Sequence, residues 1–383
     1  MTVDIDRHII KCGDEKKYII ATVLEGIRLL LLFMTRVIYQ NELYLTSYKT
    51  KLGKECKKVS SLGSDAKSLH KFASCFSTDY RFSPLIEFFF DEYCKHAIKN
   101  FPSSNIGRDI ASIELFNDFV TTMRRNAAAT KLKKRVNDWV SKTKKNEKHL
   151  QQFEAELFGR NSSLMVVRLD FHYHAAVFKR EEIHQIMVRE HMQEISDQFF
   201  LIEGNPLTDR KPNQGRISLD EVQKDRVRLF TNMKGKPSLF EHSVGYIWHI
   251  ESAKSAGYRL HVMYFFDGSQ VKDCQYIGQE IGDYWVETIT NGRGYFECCN
   301  DENSHVGEEW VIGEVNRFDN QKRKRLLLSM QFFCKANLIV QDVPYVGCHL
   351  FGSGFFRLSN NSRRVFARPK TEFSSNDQGG FGT

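Results

Sequence analysis

Between Gly257 and Gly268 the chain reads GYRLHVMYFFDG. This is an aromatic strand with a single histidine, closed by a Gly-containing turn ahead of a helix-like stretch, and few folds accommodate it. Side chains alternate along a strand, so Arg259, His261 and Met263 share one face while Leu260, Val262 and Tyr264 share the other. The preceding VGYIWHIESAKSA completes a β-hairpin through a short Ser/Ala/Gly loop. A His-x-His pair on the second strand would chelate a metal. Arg259 holds the first of those positions, and a fixed cation is no ligand, so only half of such a site is present.

The hairpin belongs to a longer β-rich region. From Lys16 to about Phe158 apolar residues recur every three or four positions, as at Ile20, Val23, Leu24, Ile27 and Leu31, which predicts a largely helical region. Breaks are expected at Ser60–Asp65 and at FPSSNIGRD from Phe101, where Ser104 is positioned to cap the next helix. After GRNSS at Gly159 the texture turns to β with LMVVRLDFHYH. Then come a helix from Arg180, a polar loop over Asn205–Gly215 and a short helix at Leu219–Arg226. Beyond the hairpin we expect a helix at about Asp273–Thr290 and a basic helix from Gln321. This order predicts an α+β fold, an antiparallel sheet with packed helices over 160–370, preceded by an all-helical N-terminal domain over 1–159. The Gly- and Ser-rich tail, 371–383, is expected to be disordered.

Of 383 residues 41% are hydrophobic and 13% aromatic, enough for packed cores. The most apolar run, LLLLFMTRVIY from Leu29, is interrupted by Arg36 and falls short of the roughly 20 residues that span a bilayer. No secretory leader opens the chain, and nine scattered cysteines read as reduced thiols, so a cytoplasmic protein with no membrane partner is expected. Cys298 and Cys299 are read as structural. Charge is unevenly spread: residues 1–150 hold 27 Lys and Arg against 17 Asp and Glu, whereas 151–383 hold 28 against 30. The excess concentrates between Arg124 and Lys148, where ten basic residues meet only Asp138 and Glu147. Such a run is a polyanion-binding signature, or else a solvated helix face.

Arg168, Asp170 and His172 share a face of the first strand, a grouping suited to a divalent metal or a DNA phosphate. Around the hairpin, His249, Glu251 and His261 add imidazole and carboxylate groups that suit Mn, Mg or Zn if the register brings them together. Because both strands carry their polar residues on one alternating face, 164–173 is expected to lie beside 258–266.

Taken in order, GYIWHIE, GYRLH, the FFDG turn, IGDYW and TNGRGYFECCN resemble the inovirus-type replication protein family that includes the YagK/YfjJ C-terminal domains. The resemblance covers roughly 160–370 and implies an HUH/RRM-like sheet of a rolling-circle replication initiator. In that chemistry two histidines and a third polar residue hold Mg or Mn on a scissile phosphate, and a helix tyrosine in Tyr-x-x-Lys spacing attacks it. The resemblance places the histidine pair on Arg259 and His261, the third ligand on Glu251, with Asp170 and His172 as further metal candidates. The tyrosine falls on Phe332 and its lysine on Lys335. Both decisive positions have departed, which implies a protein that binds DNA, single-stranded or at an origin, with nicking impaired or lost. Arg259 would then bind phosphate, supported by Arg124, Arg125, Lys131, Lys133, Lys134 and Arg135 and by Lys322, Arg323, Lys324 and Arg325. Host or phage replication proteins are implied partners. Competing readings are an active endonuclease using Tyr276, Tyr284 or Tyr345, a primase-like nucleotidyl transferase, and a regulatory or protein-interaction module.

Overall fold

A computed structural model of the chain describes residues 9–12, 17–19, 23–51, 53–204, 215–299, 311–335, 340–342 and 349–356. Its centre is an antiparallel sheet of β1 (Ser163–Tyr173), β2 (Ser243–Ala253), β3 (Gly257–Asp267), β4 (Gly294–Cys298), β5 (Gly313–Asn316) and β6 (Phe351–Phe355). The order is β4-β1-β3-β2-β6, and β5 occupies the same side of β1 as β4 but pairs with its first residues. As expected, β1 lies beside β3.

The first core strand is buried along all eleven residues, between helices over its first half and between helices on one face and a polar cluster on the other over its second. Met165, Val167, Leu169, Phe171 and Tyr173 meet α6 (Leu219–Asn232) and α7 (Cys274–Tyr284) through Val222, Leu229, Ile277 and Ile281. On the opposite face Leu164 and Val166 meet α4 (Leu132–Arg160) and α8 (Asn320–Lys335) through Phe153, Leu157, Leu326 and Met330. That second layer stops short. Beyond Val166 the same face carries Arg168, Asp170 and His172, and the polar site is built there.

The hairpin joining β2 to β3 turns through Ser255, at φ 65, and Gly257, at φ 93. A Cβ at Gly257 would lie 2.2 Å from the Ile217 carbonyl oxygen, so only glycine admits the bridge that seats Ile217 against the hairpin.

A separate core is formed by α1 (Val23–Tyr39), α2 (Pro84–Lys95) and α3 (Ile110–Ala129), with Phe33, Phe72, Phe89 and Phe119 at its centre. This region departs from the all-helical expectation. Leu45–Lys49 and Glu55–Val59 pair as a hairpin, and Tyr80–Phe82 is a further strand. Thr, Tyr and Val residues with Gly53 at φ 78 in the turn favour a two-stranded ribbon, a local preference hidden between stronger helical patterns. Nor does Ser60–Asp65 break the structure: Ser60 caps a short helix by accepting from the Gly63 amide. The cap of α3 is Asp109 rather than Ser104, in a reciprocal box with Ser112. Pairing also crosses the expected boundary near residue 160, since Ile9–Cys12 runs parallel to Val177–Phe178 and Tyr80–Phe82 pairs with Val340–Asp342. The expected tail, 371–383, lies outside the described residues, as does most of the Asn205–Gly215 loop. No helix among the described residues is long and apolar enough to cross a membrane.

Phe153 joins α4 to the sheet, its ring centroid 5.9 Å from Phe265 and 4.4 Å from Phe355. Phe153→Ala is expected to cost about 3–5 kcal/mol, the usual range for a fully buried aromatic, in chemical denaturation. A loss below about 1 kcal/mol would show that α4 does not depend on this contact.

Candidate functional site

The register assembles the site. Across β2, β3 and β1, His249, His261 and Asp170 are directly opposed, and Asp170 is followed by Glu297 on β4. One row further, Glu251 opposes Arg259, and His172 opposes Tyr295. Opposed residues share a face, so Arg168, Asp170, His172, Arg259 and His261 stand on one side of the sheet, and the hairpin register brings His249 and Glu251 to the same side. Buried polar groups are costly unless paired, and pairing here is extensive.

His261 sits at the centre. It donates through Nδ1 to Asp170 Oδ1 at 2.8 Å and through Nε2 to Glu251 Oε2 at 3.1 Å. Arg168 approaches Asp170 through Nε and Nη2 at 3.2 and 3.1 Å. Arg259 donates to Glu251 Oε2 from Nε at 2.9 Å and from Nη2 at 2.5 Å. Burial disfavours the His261 imidazolium, but the Asp170 and Glu251 carboxylates outweigh it and raise its pKa to about 9. Burial likewise works against the Asp170 anion, yet Arg168 and His261 hold that carboxyl well below the usual range. The result is a chain of alternating sign: Arg168, Asp170, His261, Glu251, Arg259.

A divalent cation does not fit this arrangement. Both nitrogens of His261 are spent as donors, and each carboxylate is already neutralised by a guanidinium. A metal would have to displace three covalently held positive charges. No group of three His, Cys, Asp or Glu among the described residues has metal-site geometry. Arg259, expected to receive a phosphate, is engaged by Glu251 instead. His172 stands to one side, its ring stacked on Tyr295 at 5.0 Å and its Nε2 3.8 Å from Glu297 Oε2. Tyr295 and Glu297 were missed in the sequence, and Cys299, read as structural, joins them. Their signal was the period of two in GYFECC, which puts all three on the face of His172 and Asp170. Cys299 Sγ lies 3.6 Å from Asp170 Oδ2, and burial raises its thiol. Burial also pushes the Tyr295 phenol up to about 12, with Arg259 opposing the shift.

The segment from Phe332 to Lys335 rests on the same sheet face but over its apolar half. Phe333 packs with Ile247 and Met263, and Lys335 Nζ pairs with Glu147 on α4 at 2.7 Å, so this lysine joins two helices. Of the substitute tyrosines, Tyr276 and Tyr284 belong to α7 on the opposite face, Tyr276 exposed and Tyr284 packed into the core there. Tyr345 lies outside the described residues.

The basic residues divide into two groups. Arg124 is structural: its guanidinium donates to the carbonyls of Val37, Gln40 and Glu42, closing the C-terminal end of α1. Arg323 clamps α8 to α4 through Glu154 at 2.8 and 3.1 Å, over the Phe158 ring, and Lys322 donates to the Glu314 carbonyl. Arg125, Lys131, Lys133, Lys134, Arg135, Lys324 and Arg325 are exposed. Between Leu132, anchored in the helical core, and Leu150, anchored under the sheet, α4 buries no residue. That stretch of about 25 Å carries seven lysines and arginines against Asp138 and Glu147. At its start, a pocket of about 390 Å³ is lined by Ile38, Arg124, Ala127, Ala128, Lys131, Lys133 and Lys134.

No protein-family profile, curated protein or solved structure matches the chain.

The sign of the pH dependence follows from His261. A folded pKa of about 9 above an unfolded value near 6.5 places its stabilisation fully below pH ~6.5 and removes it as pH rises through 9. Unfolding free energy is expected to fall across that window by on the order of 3 kcal/mol, a fall that His261→Gln abolishes. Flat stability of the native chain over the same range would refute an ionised cluster.

Proposed function

We propose that the chain is a DNA-binding protein built on an HUH/RRM-like sheet of the replication-initiator kind, whose nicking site has become an internal ion-pair network. The observation that carries this reading is the unburied, basic middle of α4. Phosphate contacts dominate nucleic-acid affinity, and exposed cations along one helix supply them whatever the sequence bound. The connectivity supports the lineage: β1, helices α5 (Arg180–Glu203) and α6, β2, β3, α7, β4, in the order β4-β1-β3-β2, is a split βαββαβ unit. The inactive part of the reading rests on chemistry. Transfer of a phosphoryl group to protein requires an attacking hydroxyl and an activated electrophile. Phe332 offers no hydroxyl, and His261 is a donor at both nitrogens.

Replacing Lys133, Lys134 and Arg135 together by Ala is expected to flatten the plot of log affinity against log salt by about 2 on single-stranded DNA, as three lost phosphate contacts require. Arg323→Ala serves as control and should lower stability with the slope retained. An unchanged slope in the triple variant would make the run a solvated face. With labelled oligonucleotide and Mn, no covalent adduct is expected on a denaturing gel. A protease-sensitive shifted band that disappears in Tyr295→Phe, the one tyrosine found beside His172, would overturn the inactive reading.

A further inference from the structure

The helix α5 carries two apolar faces. One is used within the molecule: Ile183, Ile186 and Leu201 are buried, as are Glu190, ion-paired to Lys254, and Asp197, which accepts from Thr78. The other is uncovered. Val188, Met192, Ile195, Phe199 and Ile202 are each between 41% and 64% exposed. Their spacings of four, three, four and three residues place them on successive d and a positions of a heptad, the pattern with which helices pair side by side. With the neighbouring Met187 they present on the order of 500 Å² of apolar surface, within the range of the largest patch on a typical monomer, which is often functional.

We propose that this stripe pairs α5 with α5 of a second copy of the chain in an antiparallel, two-fold arrangement centred near Ile195. Three features select a second copy over an unrelated partner. The stripe is self-complementary on reversal, because Val188 faces Ile202 and Met192 faces Phe199 when two helices are opposed about Ile195. Flanking charge is complementary in the same register: Arg189, which also donates to Ser255 Oγ at 2.9 Å while its side chain stays largely exposed, and Glu203 occupy e positions at opposite ends of the stripe, and in an antiparallel pair each meets the other. Between them the flanks are uncharged Ser196 and Gln198, in keeping with the depletion of charge at interface centres. The helix is already formed and anchored by its buried face, so association orders little new backbone. The patch is smaller than the roughly 800 Å² per partner of a standard interface, so the dimer should be concentration-dependent.

Sedimentation equilibrium of the full chain without DNA tests this. A monomer–dimer equilibrium is expected at micromolar concentration, and Ile195→Glu should weaken it by at least about tenfold, since two carboxylates would meet on the axis. The site is exposed, so that variant should keep the native circular dichroism. Arg189→Glu and Glu203→Arg should each weaken dimerisation several-fold alone, one by opposing acids and the other by opposing bases. Mixed, the two variants should form a heterodimer in which both contacts are restored. A native chain that stays monomeric would overturn the proposal, whether the stripe is bare or covered by another segment of the same chain. So would a dimer indifferent to Ile195→Glu, or single variants that fail to complement on mixing. These outcomes do not depend on whether the chain binds DNA.

Discussion

Five charges along one sheet face, Arg168, Asp170, His261, Glu251 and Arg259, alternate in sign, and the rest of the sheet is arranged so that they can. Each would be costly to bury alone, on a scale no single apolar contact offsets. The links use three strand relationships: two apart on β1 for Arg168 and Asp170, directly opposed for Asp170 with His261 and for Glu251 with Arg259, and diagonal for His261 with Glu251. A register slip of one residue would turn all five toward Phe171, Leu260 and Ile250, where nothing pairs with them. The network is therefore also what specifies the pairing of β1, β2 and β3.

The same network accounts for why a site of this shape has no place for a metal, as the proposed reading requires. A metal centre neutralises its carboxylates with a removable dication. Here guanidinium and imidazolium groups do so covalently, leaving no vacancy in charge. Arg259 is then not an isolated feature, because Glu251 is its counter-ion and His261, held by both acids, is a cation. In the lineage proposed above, Arg259 and Phe332 are consistent with each other: with no electrophile activated, a hydroxyl on α8 would have no reaction to enter.

Much of this was legible beforehand, and what was not has local causes. Period-two alternation in GYRLHVMYFFDG and LMVVRLDFHYH identified the two central strands and the face that Asp170, His172 and His261 share. The partnership of Arg259 with Glu251 was not legible, since it depends on hairpin register and on a turn at Lys254–Ala256 whose length cannot be counted from residue types. Tyr295 and Glu297 were overlooked because their strand is short and follows a Gly-rich loop. Charge alone also misassigned Arg124 and Arg323. A guanidinium that caps a helix or clamps Glu154 looks, in sequence, like one offered to phosphate, and only burial separates them.

The start of α4 makes the same distinction from the energetic side. Lys131 enters the helix at φ 52 without a capping side chain, and Lys133 and Lys134 follow in the first turn. Cations at a helix N-terminus oppose its macrodipole, and a left-handed backbone at a non-glycine residue adds strain. Lys133 is offset in part by the Tyr39 ring, 5.1 Å from its Nζ, but a face selected only for solubility would gain as much from lysines placed further along the helix. An arriving phosphate relieves both the repulsion among the lysines and their conflict with the dipole. Charges set against the dipole at this end of α4 are what the phosphate contacts proposed above would use.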